Sequence, residues 1–131
     1  LLETTDAERL MSYFDVQAAD YWETHYKFDQ PSRRCRKTAG KTFALNLIIN
    51  AWTPLLFHYG TLHGDDTLRE RALDLLHQLP PEDNHIIRHW RTAGIAVPDA
   101  ATSQAIIQLS NNYCSGRRCL QCHIGYQVIK P

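Results

Sequence analysis

Apolar residues recur at helical spacing along most of this chain. The clearest segment follows Asp65 and Asp66, which can cap the start of a helix, and ends at Pro80 and Pro81. Its apolar members fall at offsets of 0, 4, 7, 8 and 11, and they are Leu68, Ala72, Leu75, Leu76 and Leu79. This spacing predicts an amphipathic helix with a single apolar face.

The segment from about residue 41 to 59 differs, because it is apolar on nearly every side. Its apolar residues are Phe43, Ala44, Leu45, Leu47, Ile48, Ile49, Ala51, Trp52, Leu55, Leu56 and Phe57. A helix without a polar face is typically buried on most sides. We therefore predict that this helix is the buried central element of the fold.

Shorter segments flank these two helices. Thr5 and Glu8 have capping-box spacing at the start of a first helix, and the aromatic stretch 15–28 predicts a second. Asn84 can cap a helix that ends at Gly94, and a last helix runs towards Tyr113. The tail 124–129 alternates weakly and predicts a short strand or an extended end. Together these elements predict an all-α fold of five to seven helices, one domain over residues 1–131, ending in a cysteine-containing hook.

Charge and length exclude some classes of function. The 131 residues contain 14 Lys and Arg against 14 Asp and Glu, so no overall basic field is present to capture nucleic acid. No apolar run approaches the roughly 20 residues of a membrane span, and no secretory signal is visible. We expect a cytoplasmic protein without membrane partners. Because the chain begins at Leu1, we also expect it to be a fragment of a longer polypeptide.

A local basic run is the first candidate for binding. Arg33, Arg34, Arg36 and Lys37 lie in the predicted loop 29–40. Arginine and lysine clusters of this kind contact phosphate backbones, so the run predicts a nucleic-acid patch, which Arg117 and Arg118 could extend in space. The alternative interpretation is a solvated loop.

The second candidate is a cysteine cluster near the C-terminus. Cys114, Cys119 and Cys122 have C-x4-C-x2-C spacing, which can present three thiolates to one metal ion. The hypothetical fourth ligand is one of four residues, Cys35, His25, His63 or His123. A zinc ion or an iron–sulfur cluster would suit these ligands, whereas c-type haem attachment at Cys-Leu-Gln-Cys-His needs export. The alternative is reduced thiols that pack the hook.

The sequence shows no comparable pattern that would indicate an enzyme active site. No constellation for acyl, phosphoryl or hydride transfer is visible, so the sequence assigns no catalytic residue. His25, near Glu23 and Asp20, is a conceivable acid–base group. A histidine in such an aromatic stretch more often closes hydrogen bonds in a small core.

Three stretches carry a family resemblance: residues 20–28, residues 54–60, and the ending with Tyr113, the three cysteines and Gly125. They resemble the C-terminal region of a large bacterial family, mainly from Bacteroidetes, described as a domain of unknown function. The resemblance implies an upstream, nuclease-like region absent here. It favours a non-catalytic helical module that packs on or binds that upstream domain or nucleic acid. The alternative is a small metal-binding domain built on the cysteine cluster.

Overall fold

Helices dominate the chain, as the computed structural model describes it for residue 4 and residues 6–129. The all-α class is therefore confirmed. If the uninterrupted helix from Lys41 to His63 is counted once, the described residues hold seven α-helices, within the predicted five to seven. The chain divides between Leu75 and Leu76 into two units. That both belong to one domain stays a prediction.

The first unit begins with two short helices and a hairpin. Helix α1 (Ala7–Ser12) starts at Asp6, whose carboxylate accepts the N–H of Glu8 at 2.9 Å, whereas the predicted cap Thr5 lies outside the described residues. Helix α2 (Asp20–Glu23) leads into the antiparallel strands β1 (His25–Lys27) and β2 (Gln30–Pro31). The hairpin escaped prediction because strands of two or three residues carry no periodic signal.

A long helix follows the hairpin in three consecutive segments. They are α3 (Lys41–Leu47), a π-helical turn (Ile48–Trp52) and α4 (Thr53–His63). The π-helical turn ends two residues before Pro54, which has no N–H to donate. The Thr53 hydroxyl donates to the carbonyl of Ile48 at 2.9 Å and stabilises the turn from its buried side.

The prediction that this long helix is buried on most sides is wrong. Only one face is buried, through Ala44, Ile48, Ile49, Thr53, Leu56 and Gly60. Phe43, Leu55 and Leu62 are 60%, 58% and 69% exposed. Apolar composition predicts that a surface is covered, but it does not say which element covers it. Within the first unit, the neighbouring elements cover only one face of this helix.

Helix α5 (Asp66–Gln78) begins after a sharp turn at Gly64, which adopts the left-handed conformation with φ 65°. Asp65 accepts the N–H of Leu68 at 3.2 Å, which confirms the predicted cap. The start of α5 passes very close to α4, because a Cβ on Gly60 would lie 2.9 Å from the carbonyl oxygen of Asp65. The predicted apolar face of α5 is confirmed, since its five members are buried or half-buried.

The second unit is built on α6 (His85–Thr92) and α7 (Ala100–Leu109). Ile87, Val97 and Ile106 form its buried core, with Trp90 packed against them. As predicted, Asn84 caps α6, where it accepts the N–H of Ile87 at 3.0 Å. The predicted stop is also confirmed, because Gly94 adopts φ 87° directly after α6.

The tail 124–129 is helical rather than extended. After a π-helical turn (Ser110–Cys114) and a 3₁₀ turn (Cys119–Gln121), helix α8 runs over His123–Ile129. The predicted strand or extended tail is therefore wrong. A strand needs a partner to satisfy its backbone groups, whereas a helix satisfies them internally, as the N–H of Tyr126 does by donating to the carbonyl of Cys122 at 2.8 Å.

Candidate functional site at the C-terminal cysteines

The backbone after α7 folds back on itself and brings the three cysteines together. The π-helical turn ends at Cys114, and the N–H of Ser115 closes it by donating to the carbonyl of Ser110 at 2.8 Å. Arg117 then adopts a positive φ of 51°, which reverses the chain. The N–H of Arg118 donates to the carbonyl of Tyr113 at 2.9 Å, so the segment carrying Cys119 and Cys122 returns beside the end of α7.

All three cysteines line one small cavity of about 130 Å³. The rest of its lining comes from Trp90, Leu109, Tyr113, Ile124 and Gly125. Cys122 is buried, whereas Cys114 and Cys119 are exposed, and all three are free thiols. The hook predicted from the spacing is therefore present, with one thiol inside and two at its rim.

Close backbone approach holds this hook shut. A Cβ on Gly125 would lie 2.6 Å from the carbonyl oxygen of Cys119 and 3.0 Å from its Cα. Real Cβ atoms do not come this near to a backbone oxygen, so α8 can lie against the 3₁₀ turn only because residue 125 is glycine.

The four candidates for a further metal ligand are scattered. His123 is exposed at the start of α8, while Cys35, His25 and His63 belong to the first unit. Among the described residues, no group of three or more His, Cys, Asp or Glu side chains is arranged to hold a metal ion. A zinc or iron–sulfur site at Cys114, Cys119 and Cys122 stays a prediction.

His25 is engaged within its own aromatic stretch. Its Nδ1 lies 2.9 Å from the carbonyl oxygen of Tyr21 and 3.0 Å from the hydroxyl of Thr24. Its ring stacks on Tyr21 with the centroids 4.1 Å apart. These contacts favour the structural interpretation of His25 over an acid–base role.

A larger groove of about 490 Å³ adjoins the cysteine hook. Trp90 and Cys114 line both cavities, and the indole N–H of Trp90 donates to the hydroxyl of Ser110 at 2.7 Å. His85 and His89, both exposed, also line this groove. Their i, i+4 spacing on α6 was the signal that could have placed both on one face.

The basic run lies along the preceding segment rather than as a detached loop. The N–H groups of Ser32 and Cys35 donate to the carbonyls of Thr24 and Glu23 at 2.7 and 2.8 Å. Further along, the carbonyl of Lys37 accepts the N–H of Ala18 at 2.9 Å. Residues 32–39 are thereby held beside residues 16–24.

Three of the four cations in this run have structural partners. Arg34 forms a 2.8 Å ion pair with Glu23, and Nε of Arg36 donates to the side-chain oxygen of Gln17 at 3.0 Å. Lys37 donates to the carbonyls of Trp22 and His25. Arg33, the fourth cation, is exposed.

The two remaining members of the predicted patch, Arg117 and Arg118, lie in the turn of the hook, in the second unit. Arg117 is the residue of positive φ that reverses the chain there. A patch that joins both arginines to the basic run stays a prediction.

The family comparison covers the whole of the first unit and the start of the second. The family model for proteins of unknown function (DUF2851) matches residues 1–85. The chain belongs to this family. No curated protein and no solved structure matches the chain. The hairpin and the long helix therefore lie within the part matched to DUF2851, whereas the cysteine hook lies beyond it.

Proposed function

We propose that this chain is a non-catalytic helical module of a bacterial, cytoplasmic protein, and that it packs on an upstream domain of the same polypeptide. The proposal rests on one observation, the exposed apolar face of the helix Lys41–His63. Ala51, Leu55, His58 and Leu62 follow one another at offsets of 0, 4, 7 and 11, and all four are exposed. That spacing places them on one side of the helix.

This face lacks the charges that normally solvate a helix. From Thr42 to His63 the chain has no Asp, Glu, Lys or Arg. Helix α5 provides an internal comparison, since its exposed residues include Asp66, Glu70 and Asp74. Contiguous exposed apolar surface marks interaction sites in proteins. The long helix is therefore suited to pack with one face inside its unit and with the other against a partner.

The type of partner follows from the family resemblance. The resemblance implies a nuclease-like upstream region, which would supply the partner surface. We therefore propose a protein surface of the same polypeptide as the partner. Within residues 4 and 6–129, no helix is long and apolar enough to cross a membrane.

A charge placed on the exposed face tests the proposal. The double variant Leu55→Lys/Leu62→Lys should keep the unfolding free energy of the isolated chain within about 0.5 kcal/mol, because both side chains are exposed. In the longer polypeptide the double variant should weaken packing of the module on the upstream domain. Limited proteolysis between the upstream domain and the module should then be faster. Leu73→Lys on α5, at a 49% exposed leucine, is the matched control.

Two results would contradict this function. One is equal proteolysis of the double variant and the Leu73→Lys control in the longer polypeptide. The other is a stable dimer of the isolated chain that the double variant dissociates, because the face would then serve self-association.

The second candidate function is a small metal-binding domain, and it is supported by the fact that Cys114, Cys119 and Cys122 all line one cavity. Metal analysis of untagged protein purified without oxygen should then find one equivalent of zinc or an iron–sulfur cluster. A triple Cys→Ser variant should lose that metal and melt at a lower temperature. Metal-free protein of unchanged stability removes this candidate.

A further inference from the structure

We propose that the hairpin and the basic segment of the first unit form a binding surface for single-stranded nucleic acid. The surface consists of Tyr26, Phe28 and the cations of residues 33–37. This inference does not rest on the proposed packing function, because it concerns different residues. It starts from two rings that the fold leaves open, Tyr26 at 69% and Phe28 at 75% exposure.

The Phe28 ring is held in place despite its exposure. It meets Trp22 edge-on with the centroids 5.0 Å apart, and Tyr21 at 6.2 Å. The N–H of the next residue, Asp29, donates to the Tyr21 hydroxyl at 2.9 Å, which fixes the turn. A ring that is already ordered loses little entropy when a base stacks on it, so Phe28 is a preorganised platform.

Tyr26 is linked to the basic segment directly. The ammonium of Lys37 lies 3.5 Å from the centroid of the Tyr26 ring. Lys37 is also tied to backbone carbonyls of Trp22 and His25, so it fixes one side of the ring and leaves the ring largely exposed. A base stacking on Tyr26 would have a fixed positive charge close by.

The remaining cations can reach phosphates. Arg33 is exposed, and the side chain of Arg34 is 79% exposed even though it pairs with Glu23. A guanidinium has five N–H donors, so one ion pair leaves others available for a phosphate oxygen. Between Asp15 and Lys41, six Lys and Arg residues stand against four Asp and Glu, a local charge of +2 in a chain of net charge zero.

Exposed rings beside cations favour single-stranded over double-stranded nucleic acid as the ligand. In a duplex the base faces are stacked on one another, and only edges and phosphates are accessible. A local charge of +2 is too small to hold a duplex through phosphates alone. Single strands expose the base faces that Tyr26 and Phe28 can stack, and such binding tolerates many sequences.

Fluorescence anisotropy of a labelled oligothymidylate of about 15 nucleotides, at about 50 mM salt, tests the surface with the full chain. Phe28→Ala should weaken binding by about 5- to 100-fold, the loss of one base–ring stack. Phe43→Ala is the matched control, because Phe43 is a 60% exposed ring of the same unit outside the surface. Arg33→Ala should make the slope of log affinity against log salt concentration shallower by about one, the contribution of one phosphate contact.

Thiol alkylation locates the bound strand without any substitution. Cys35 lies exposed within the basic segment, while Cys114 and Cys119 are exposed in the second unit. Oligothymidylate should slow iodoacetamide labelling of Cys35, measured by mass spectrometry, and leave labelling of the other two unchanged.

Three outcomes of these two assays overturn the inference, and a fourth comes from a comparison with duplex. They are no binding at low salt, an equal loss of affinity in Phe28→Ala and Phe43→Ala, and equal protection of all three cysteines. Tighter binding of the matching duplex than of the single strand also contradicts it, because base stacking would then not contribute.

Discussion

Asp99 joins two parts of the second unit, so its substitution tests how α7, the helix that leads to the cysteine hook, is held. Its carboxylate caps α7 by accepting the N–H of Thr102 at 2.7 Å, and it lies 2.9 Å from Nδ1 of His77. The hydrogen bond from His77, followed by that from Thr102, lowers the pKa of Asp99 from 3.8 to about 2. The charged form is therefore the one that the fold favours.

Two substitutions separate the charge from the cap. Asp99→Asn keeps a capping oxygen and removes the charge, whereas Asp99→Ala removes both. A pKa lowered from 3.8 to about 2 corresponds to about 2.5 kcal/mol at most. Because the side chain of His77 is 62% exposed and its pairing is screened by water, we expect about 1 kcal/mol for Asp99→Asn. Loss of the cap in Asp99→Ala should add about 1 kcal/mol.

The sign of the pH dependence follows from the lowered pKa. The contribution of the charge is fully present above pH 3.8, the unperturbed value, and is lost as the pH falls through about 2. Urea unfolding followed by circular dichroism should thus show a difference between wild type and Asp99→Asn that falls to about half between pH 5 and pH 3. A difference that stays the same or grows between pH 5 and pH 3 would refute the assignment of the charge.

Glycine substitutions test two close approaches and one turn. Gly60→Ala should destabilise the chain by about 1–3 kcal/mol through overpacking of α4 on α5, as measured by urea unfolding, and unchanged stability would contradict that crossing. Gly64→Ala should cost about 1 kcal/mol for a different reason, the left-handed φ of 65°, and Gly64→Asn should cost less. Gly125→Ala should open the hook and speed alkylation of the buried Cys122, whereas Gly116→Ala, which meets only the flexible Arg118 side chain, is the control; equal rates would exclude the proposed closure.

The sequence predicted best those elements whose backbone hydrogen bonds are formed within the element and which bury one face. Helix α5 and the caps at Asp65 and Asn84 follow from spacing and from side-chain hydrogen bonds within three residues. The tail 124–129 was predicted wrongly because six residues with weak alternation do not decide between helix and strand. Its docking depends on the contact between Gly125 and Cys119, which no periodicity records.

The candidate sites show the same division between local and tertiary information. The spacing of Cys114, Cys119 and Cys122 predicted a C-terminal hook and left open whether the thiols share one site, and the fold places all three at one cavity. The burial of Cys122 alone was not predictable, since it depends on α8. Likewise, a run of cations predicts a patch, but the ties of Lys37 to Trp22 and His25 are visible only in the fold.

For the long helix, the wrong prediction of burial and the proposed function have the same cause. A segment from Thr42 to His63 without a charged residue suggests a helix surrounded by protein. Within its unit that helix is covered on one face, while Leu55 and Leu62 are 58% and 69% exposed. A helix face that contacts only water normally carries charged residues at such positions, as α5 does. The prediction that the helix is buried on most sides is therefore wrong within its unit. The same absence of charged residues is the strongest argument that a partner covers its exposed face.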